Sequence, residues 1–271
     1  MNSRGGGERL PNLAHFAIFL ALTFFALAAA ESTLLVLTHG TPVAQTLQDQ
    51  RLQTLVSVST YGLSLGLAYI TFPTFWQRPF LVGMEWNAAA VKGWMLGLGL
   101  VLGFAAQGVD LFLPHPKDLP IEAYFRDPKA IWVLAFFGVV MGPLFEEVVF
   151  RGFLLPGIAI AVDYLNIPRS ADRQESYENL LAWRAGEGYS SMALGLASIV
   201  TTALFVAIHG PQLAWTPSAL GLLAVVSLVL CAVRLRTRSV AASAVVHACY
   251  NLSVFVTLFV GTGGFRHLDK L

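Results

Sequence analysis

The sequence predicts an all-α polytopic membrane protein, a single membrane domain (1–271) built as a bundle of about seven transmembrane helices. Three observations predict it. The 271 residues are 56% hydrophobic and 12% charged, where a soluble domain carries about 25% charged residues. Mean hydropathy is +0.65. The apolar residues come in runs long enough to cross about 30 Å of hydrocarbon at 1.5 Å per residue. A net charge of +1 without a basic cluster gives no case for nucleic acid.

Taken in order, the expected spans are 13–38, 54–75, 91–113, 130–162, 190–209, 214–233 and 239–261. Arg4 and Arg9 precede the first, and Ala26-Leu27-Ala28 resembles a cleavage site. The apolar run continues through Leu34-Leu35-Val36-Leu37, so an uncleaved span is expected. The second contains Gly62-Leu63-Ser64-Leu65-Gly66, a nucleophile-elbow pattern. It lies inside an apolar run and not on a strand-to-helix turn, so it gives no serine hydrolase. In the third, Gly93, Gly97, Gly99 and Gly103 form two Gly-x-x-x-Gly pairs that let helices approach closely. They do not complete a dinucleotide motif, because residue 102 is Leu.

The fourth run is too long for one perpendicular crossing. Pro143 is expected to kink it, since proline removes a helix hydrogen bond and clashes with the preceding turn. Pro156 is expected to end its regular part. Splitting the run at Pro143 gives an eight-span alternative. The polar insert from Asn166 to Tyr189 lies outside the bilayer. Cys231 and Cys249 fall in the last two spans and read as small buried hydrophobes. They make neither a disulfide nor a finger-type zinc site.

Lys and Arg set the orientation. With seven spans and the N-terminus inside, the inner segments hold Arg4, Arg9, Arg78, Lys92, Arg151, Arg169, Arg173, Arg184, Arg234, Arg236 and Arg238. The outer segments hold Arg51, Lys117, Arg126, Lys129, Arg266 and Lys270. That is 11 against 6 of the 17 basic residues.

Chemistry concentrates in the fourth span. Glu146 and Glu147 are adjacent within an apolar stretch, and an intramembrane carboxylate marks a functional site by default. Glu147 and Arg151 are i,i+4 and can pair on one helix face. Glu146 points about 100° away and is left without a local partner, which suits a general base. His209 closes Phe205-Val206-Ala207-Ile208-His209 before Gly210-Pro211. His247 and Asn251 share a face at i,i+4, and two such groups face protein or water, not lipid. Singly, a histidine placed like His209 is more often an interface anchor than a catalyst, and His247 with Asn251 reads as well as an interhelical hydrogen-bonding pair as a functional one. Glu31 and Asp110 are expected to make secondary polar contacts. Straight helices would separate His209 from His247 by roughly 15 Å in depth.

The ordered set Glu146-Glu147-x-x-x-Arg151-Gly152, Phe205-x-x-x-His209 and His247-x-x-x-Asn251 resembles the CPBP family. These are the CAAX protease and bacteriocin-processing (Abi) intramembrane endopeptidases, relatives of the type II CAAX prenyl endopeptidase. The resemblance covers roughly residues 130–260. It implies peptide-bond hydrolysis in a water-filled cavity within the bilayer. In that reading Glu146 with His209 activates water, and His247 and Asn251 stabilise the oxyanion. Glu147 and Arg151 hold the helix and set the local field.

Family members are often termed metalloproteases, and Glu146, His209 and His247 are the ligands if zinc is bound. No His-Glu-x-x-His helix is present, and the type II pattern favours a metal-free glutamate mechanism. The expected substrate is a membrane-associated protein or peptide. Usage of 13 Arg and 4 Lys suggests a bacterial plasma membrane, with a prenylated CAAX protein at the endoplasmic reticulum as the eukaryotic alternative. The rival class is a non-catalytic scaffold or immunity-type binding protein of the same fold. Transport ranks last, because no inverted repeat is evident.

Overall fold

The computed structural model describes residues 9–46, 49–113, 120, 125, 130–186 and 188–268. Arg4, Lys117, Arg126, Lys129 and Lys270, which enter the orientation count, lie outside them. Among the described residues there is no strand, and seven helices are long and apolar enough to cross a membrane. They are α1 (Leu13–Leu37), α2 (Gln50–Trp76), α3 (Gly93–Asp110), α4 (Ile131–Leu165), α6 (Ser191–His209), α7 (Pro217–Thr237) and α8 (Val240–Gly261). A shorter helix, α5 (Arg173–Ala185), lies within the polar insert. The protein is an integral multi-pass membrane protein. Phe24, Ile70, Val101 and Val260 are each more than 65% exposed. Such side chains belong on a lipid-facing surface.

The fourth run is one helix, so the eight-span division is not adopted. Its prolines are met by π turns. Residues 137–141 are π-helical and end before Pro143, and residues 148–154 are π-helical and end before Pro156. A proline ring clashes with the carbonyl four residues back, and the wider turn relieves that clash. Pro156 does not end the regular helix, because Leu155–Leu165 continues as α-helix. Each π turn leaves one carbonyl without a donor. Gly142 N–H bonds Phe137 O, and Leu155 N–H bonds Phe150 O, both at five residues. The next donors in that register belong to Pro143 and Pro156, which have none. The stranded carbonyls, Gly138 O and Arg151 O, accept instead from Asn251 Nδ2 (2.6 Å) and Arg234 Nε (3.2 Å). Side chains of α8 and α7 thus complete the backbone of α4, as a buried polar group requires.

Packing around α4 is aromatic on one side. Phe19 of α1 stacks on Phe153 at 4.8 Å, and Tyr61 of α2 stacks on Phe145 at 3.9 Å. Helices α3 and α8 meet through small residues, but by only one of the two glycine pairs. A Cβ on Gly99 would meet Val246 O, and one on Gly103 would meet Ser253 and the Tyr250 carbonyl. A Cβ on Gly93 or Gly97 would meet no neighbouring helix within 4 Å, so these two do not mediate a close approach. Cys231 and Cys249 are free and buried.

The insert is tied down by Arg9. Its guanidinium donates to Trp183 O (2.7 Å), Gly186 O (3.0 Å) and Gly188 O (2.5 Å), and lies 4.7 Å over the Trp183 ring. Asp172 caps α5 by accepting from Gln174 N–H.

Gly99→Ala is expected to cost about 1–3 kcal/mol through overpacking against backbone. Gly97→Ala is expected to be neutral or to gain up to about 1 kcal/mol of helix propensity. Thermal unfolding of the two variants in detergent checks this. Equal destabilisation would mean that Gly97 also lies at a helix interface.

Candidate active site

The two glutamates of α4 have separate surroundings. Glu147 is fully buried and pairs with Arg151 across one helical turn, Nη1 to Oε1 at 2.9 Å. The same oxygen accepts from His247 Nδ1 of α8 at 3.0 Å. Arg151, also fully buried, donates through Nη2 to Ser227 O (3.0 Å) and Ser227 Oγ (2.8 Å) of α7. Ser227 Oγ lies 3.0 Å from Thr202 Oγ1 of α6, and the guanidinium stands 4.8 Å over the Phe205 ring. Arg234 extends the chain of contacts from Arg151 O to Glu85 Oε2 at 2.7 Å.

Glu146 turns the other way, and its side chain keeps 20% of its surface exposed. It lines a cavity of about 530 Å³ together with His209, His247 and Asn251. Its Oε2 is 3.7 Å from His247 Nε2, so the imidazole stands between the two carboxylates, one at each nitrogen. His209 Nδ1 lies 2.7 Å from Phe205 O. A carbonyl only accepts, so Nδ1 carries the proton, and Nε2 of a neutral ring is left as an acceptor. Asn251 spends one amide N–H on Gly138 O and has a second to offer.

The expected 15 Å depth gap between the histidines is not realised. Phe205 packs against both rings, with centroids at 4.6 Å (His209) and 5.9 Å (His247). Helices α6 and α8 are therefore staggered or tilted, not level. Arg151, counted with the inner segments, is a buried partner of Glu147, as the i,i+4 spacing suggests, and Arg234 is also buried. Glu147 also holds His247. Asp110 lines the cavity, while Glu31 does not.

Tyr61, Ser227, Thr202, Arg234 and Glu85 carry no functional signal in the sequence. Hydroxyl residues scattered in apolar runs are usually content to bond their own helix. Arg234 is masked by its place in the Arg234, Arg236, Arg238 series.

Glu147→Gln is expected to cost about 3–5 kcal/mol, because it leaves Arg151 charged and uncompensated in the interior. Glu146→Gln, at a wet cavity wall, should change stability little. Detergent unfolding curves of both variants test the contrast. Equal losses would show that the two carboxylates share one structural role.

With this geometry in place, the comparisons with known proteins are specific. Residues 128–253, just under half the chain, match the family model described as type II CAAX prenyl endopeptidase Rce1-like. Curated proteins and solved structures gave no match. The matched stretch contains Glu146, Glu147, Arg151, His209, His247 and Asn251, and also Ser227 and Arg234. Residues 128–253 are a domain of the Rce1-like family, within the CPBP/CAAX proteases.

Proposed function

We propose that this chain is an intramembrane endopeptidase that hydrolyses a peptide bond of a membrane-associated protein or peptide with a water activated by Glu146 and His209. The observation that carries the reading is the convergence of Glu146, His209, His247 and Asn251, from three helices, on one cavity. A cavity of about 530 Å³ has room for an extended peptide segment and water.

The steps follow from the available donors and acceptors. Glu146, with the acceptor Nε2 of His209, takes a proton from water as its oxygen bonds the scissile carbonyl carbon. The carbonyl oxygen becomes an oxyanion. Asn251 offers its second N–H, and His247 offers Nε2–H. For that role His247 donates through both nitrogens, Nδ1 to Glu147 and Nε2 to the oxyanion. An imidazolium between two carboxylates, with Arg151 on Glu147, gives a cluster of zero net charge. The proton held by Glu146 then passes to the departing amine as the C–N bond breaks.

A zinc ion would need donors about 2.0–2.2 Å from one centre. Among the described residues no three His, Cys, Asp or Glu side chains are grouped in that way. This donor set does not fit the ion, and no step is routed through it.

Glu146→Gln is expected to abolish turnover and keep the fold. Mass spectrometry of membrane peptides from cells carrying wild type or Glu146→Gln tests this. New termini should appear with wild type alone. Identical peptide sets would sink the protease reading and favour a scaffold.

Asn251→Ala is expected to lower kcat by about 10²–10³ with little change in KM. It should also lose about 1–3 kcal/mol of stability from the bare Gly138 carbonyl. Assays below the unfolding range separate the two. A rise in KM alone would make Asn251 a substrate-binding group. Activity should survive metal stripping. Loss under a strong chelator with recovery on adding zinc would make Glu146, His209 and His247 ligands.

A further inference from the structure

Part of the cavity wall is polar without serving the proposed reaction. Gln53, Thr54 and Ser57 of α2 line it, with Gln107 and Asp110 of α3. Leu213, Leu222, Leu223 and Val254 give it an apolar surface elsewhere. Asp110 is the last residue of α3 and is half-buried. A carboxylate there sits at the negative end of its own helix, where a cation is the stabilising choice. Among the described residues that line the cavity there is no Lys or Arg. Asp110 makes no ion pair with any described residue.

The packing of α3 on α8 places Asp110 relative to the reaction. The two helices run in the same direction, since Gly99 abuts Val246 and Tyr250 while Gly103 abuts Tyr250 and Ser253. Asn251 is therefore about level with Gly103. Asp110 follows Gly103 by seven residues, roughly 10 Å along the axis at 1.5 Å each. Gln107 lies between them and donates through Nε2 to Gly103 O and Ser253 Oγ, both at 3.1 Å. Both of its amide hydrogens are used, so Oε1 is left as an acceptor for a peptide N–H. An extended peptide advances about 3.3 Å per residue. The step from Asn251 to Asp110 is thus about three residues long.

We propose that Asp110 forms a cation subsite, and that the substrate carries a Lys or Arg about three residues from the scissile bond. This rests on the protease reading and names a feature of its substrate. In that reading Glu146, His247, Glu147 and Arg151 sum to zero net charge, so Asp110 sets the charge of the cavity. A bound peptide displaces water from the Asp110 carboxylate. A neutral or acidic side chain beside it leaves the carboxylate desolvated and unpaired, and a cation offsets that cost. Successive side chains of an extended peptide point to opposite faces, so those next to the cation can meet the apolar surface.

The test uses the full chain in detergent and a short fluorescein-labelled apolar peptide. The peptide carries one Lys, stepped along its length, or Glu or Gln at the same position. Fluorescence anisotropy reads its binding to the Glu146→Gln variant, in which the proposed base is gone. At the best position the Lys peptide should bind about tenfold tighter than the Glu peptide. Asp110→Asn should abolish that difference, and Asp110→Lys should reverse it. The Lys preference with Asp110 intact should also weaken as salt is raised. Equal binding of the three peptides, or a Lys preference that survives Asp110→Asn, overturns the proposal. If Asp110→Lys fails to fold, the isosteric Asp110→Asn and the salt series carry the test.

Cleavage of the same peptides by wild type gives a second readout. Mass spectrometry of the products should place the Lys about three residues from the cut bond, and cuts at no fixed distance from it would overturn the subsite. Binding needs no turnover. Asp110-dependent selection of Lys without Glu146-dependent cleavage therefore keeps the subsite and rejects the protease, while Glu146-dependent cleavage without that selection does the opposite.

Discussion

The Glu147 carboxylate has no contact with solvent, and a charge in such a place costs several kcal/mol unless other groups meet it. Much of the bundle is arranged to meet it. Arg151 supplies the opposite charge from the same helix, and His247 supplies a second donor from α8. Arg151 is itself an intramembrane ion, so it recruits Ser227 of α7 and the face of Phe205 of α6. One buried carboxylate thus fixes how four helices stand relative to one another. Apolar packing could not do this alone. Inside a bilayer, lipid is as apolar as leucine, and helix association rests on close packing and polar contacts.

The prolines of α4 work in the same direction. Each forces a π turn, each π turn strands a carbonyl, and each stranded carbonyl is claimed by a neighbouring helix. Asn251 answers the first and Arg234 the second. The π turns also change the phase of the helix, since an added residue rotates the remainder of the helix by about 100°. The segment Gly142–Glu147 lies between them, and it carries both glutamates. The irregular backbone is therefore part of how the cavity wall is aimed. It also gives Asn251 a backbone to support whatever else it does, so an effect of removing it needs a stability measurement beside any rate.

The spans were legible from hydropathy to within a few residues, because a bilayer demands long apolar runs and the chain supplies them. The Glu147–Arg151 pair was legible from i,i+4 spacing. What could not be read were facts that depend on neighbours. Two glycine pairs look alike in sequence, yet only Gly99 and Gly103 face α8. Pro156 looks like a terminator, yet a π turn and an arginine from α7 absorb it. The depth of His209 against His247 assumed level, straight helices, and that assumption failed. Ser227 and Thr202 look like ordinary helix residues until the guanidinium beside them is placed.

The glutamate doublet has a physical logic of its own. Adjacent residues on a helix diverge by about 100°, so one can be sealed in the protein while the other faces water. Glu147 is sealed and Glu146 is wet. His247 touches the surroundings of both, with Nδ1 at 3.0 Å from Glu147 and Nε2 at 3.7 Å from Glu146. The imidazole therefore transmits the position of the buried network to the cavity. Its ring cannot turn without breaking the bond to Glu147, and losing that bond would take from the buried carboxylate one of its donors. Orientation at the cavity is held by the same free energy that holds the bundle together. A second glutamate next to the first is how one helix supplies both functions.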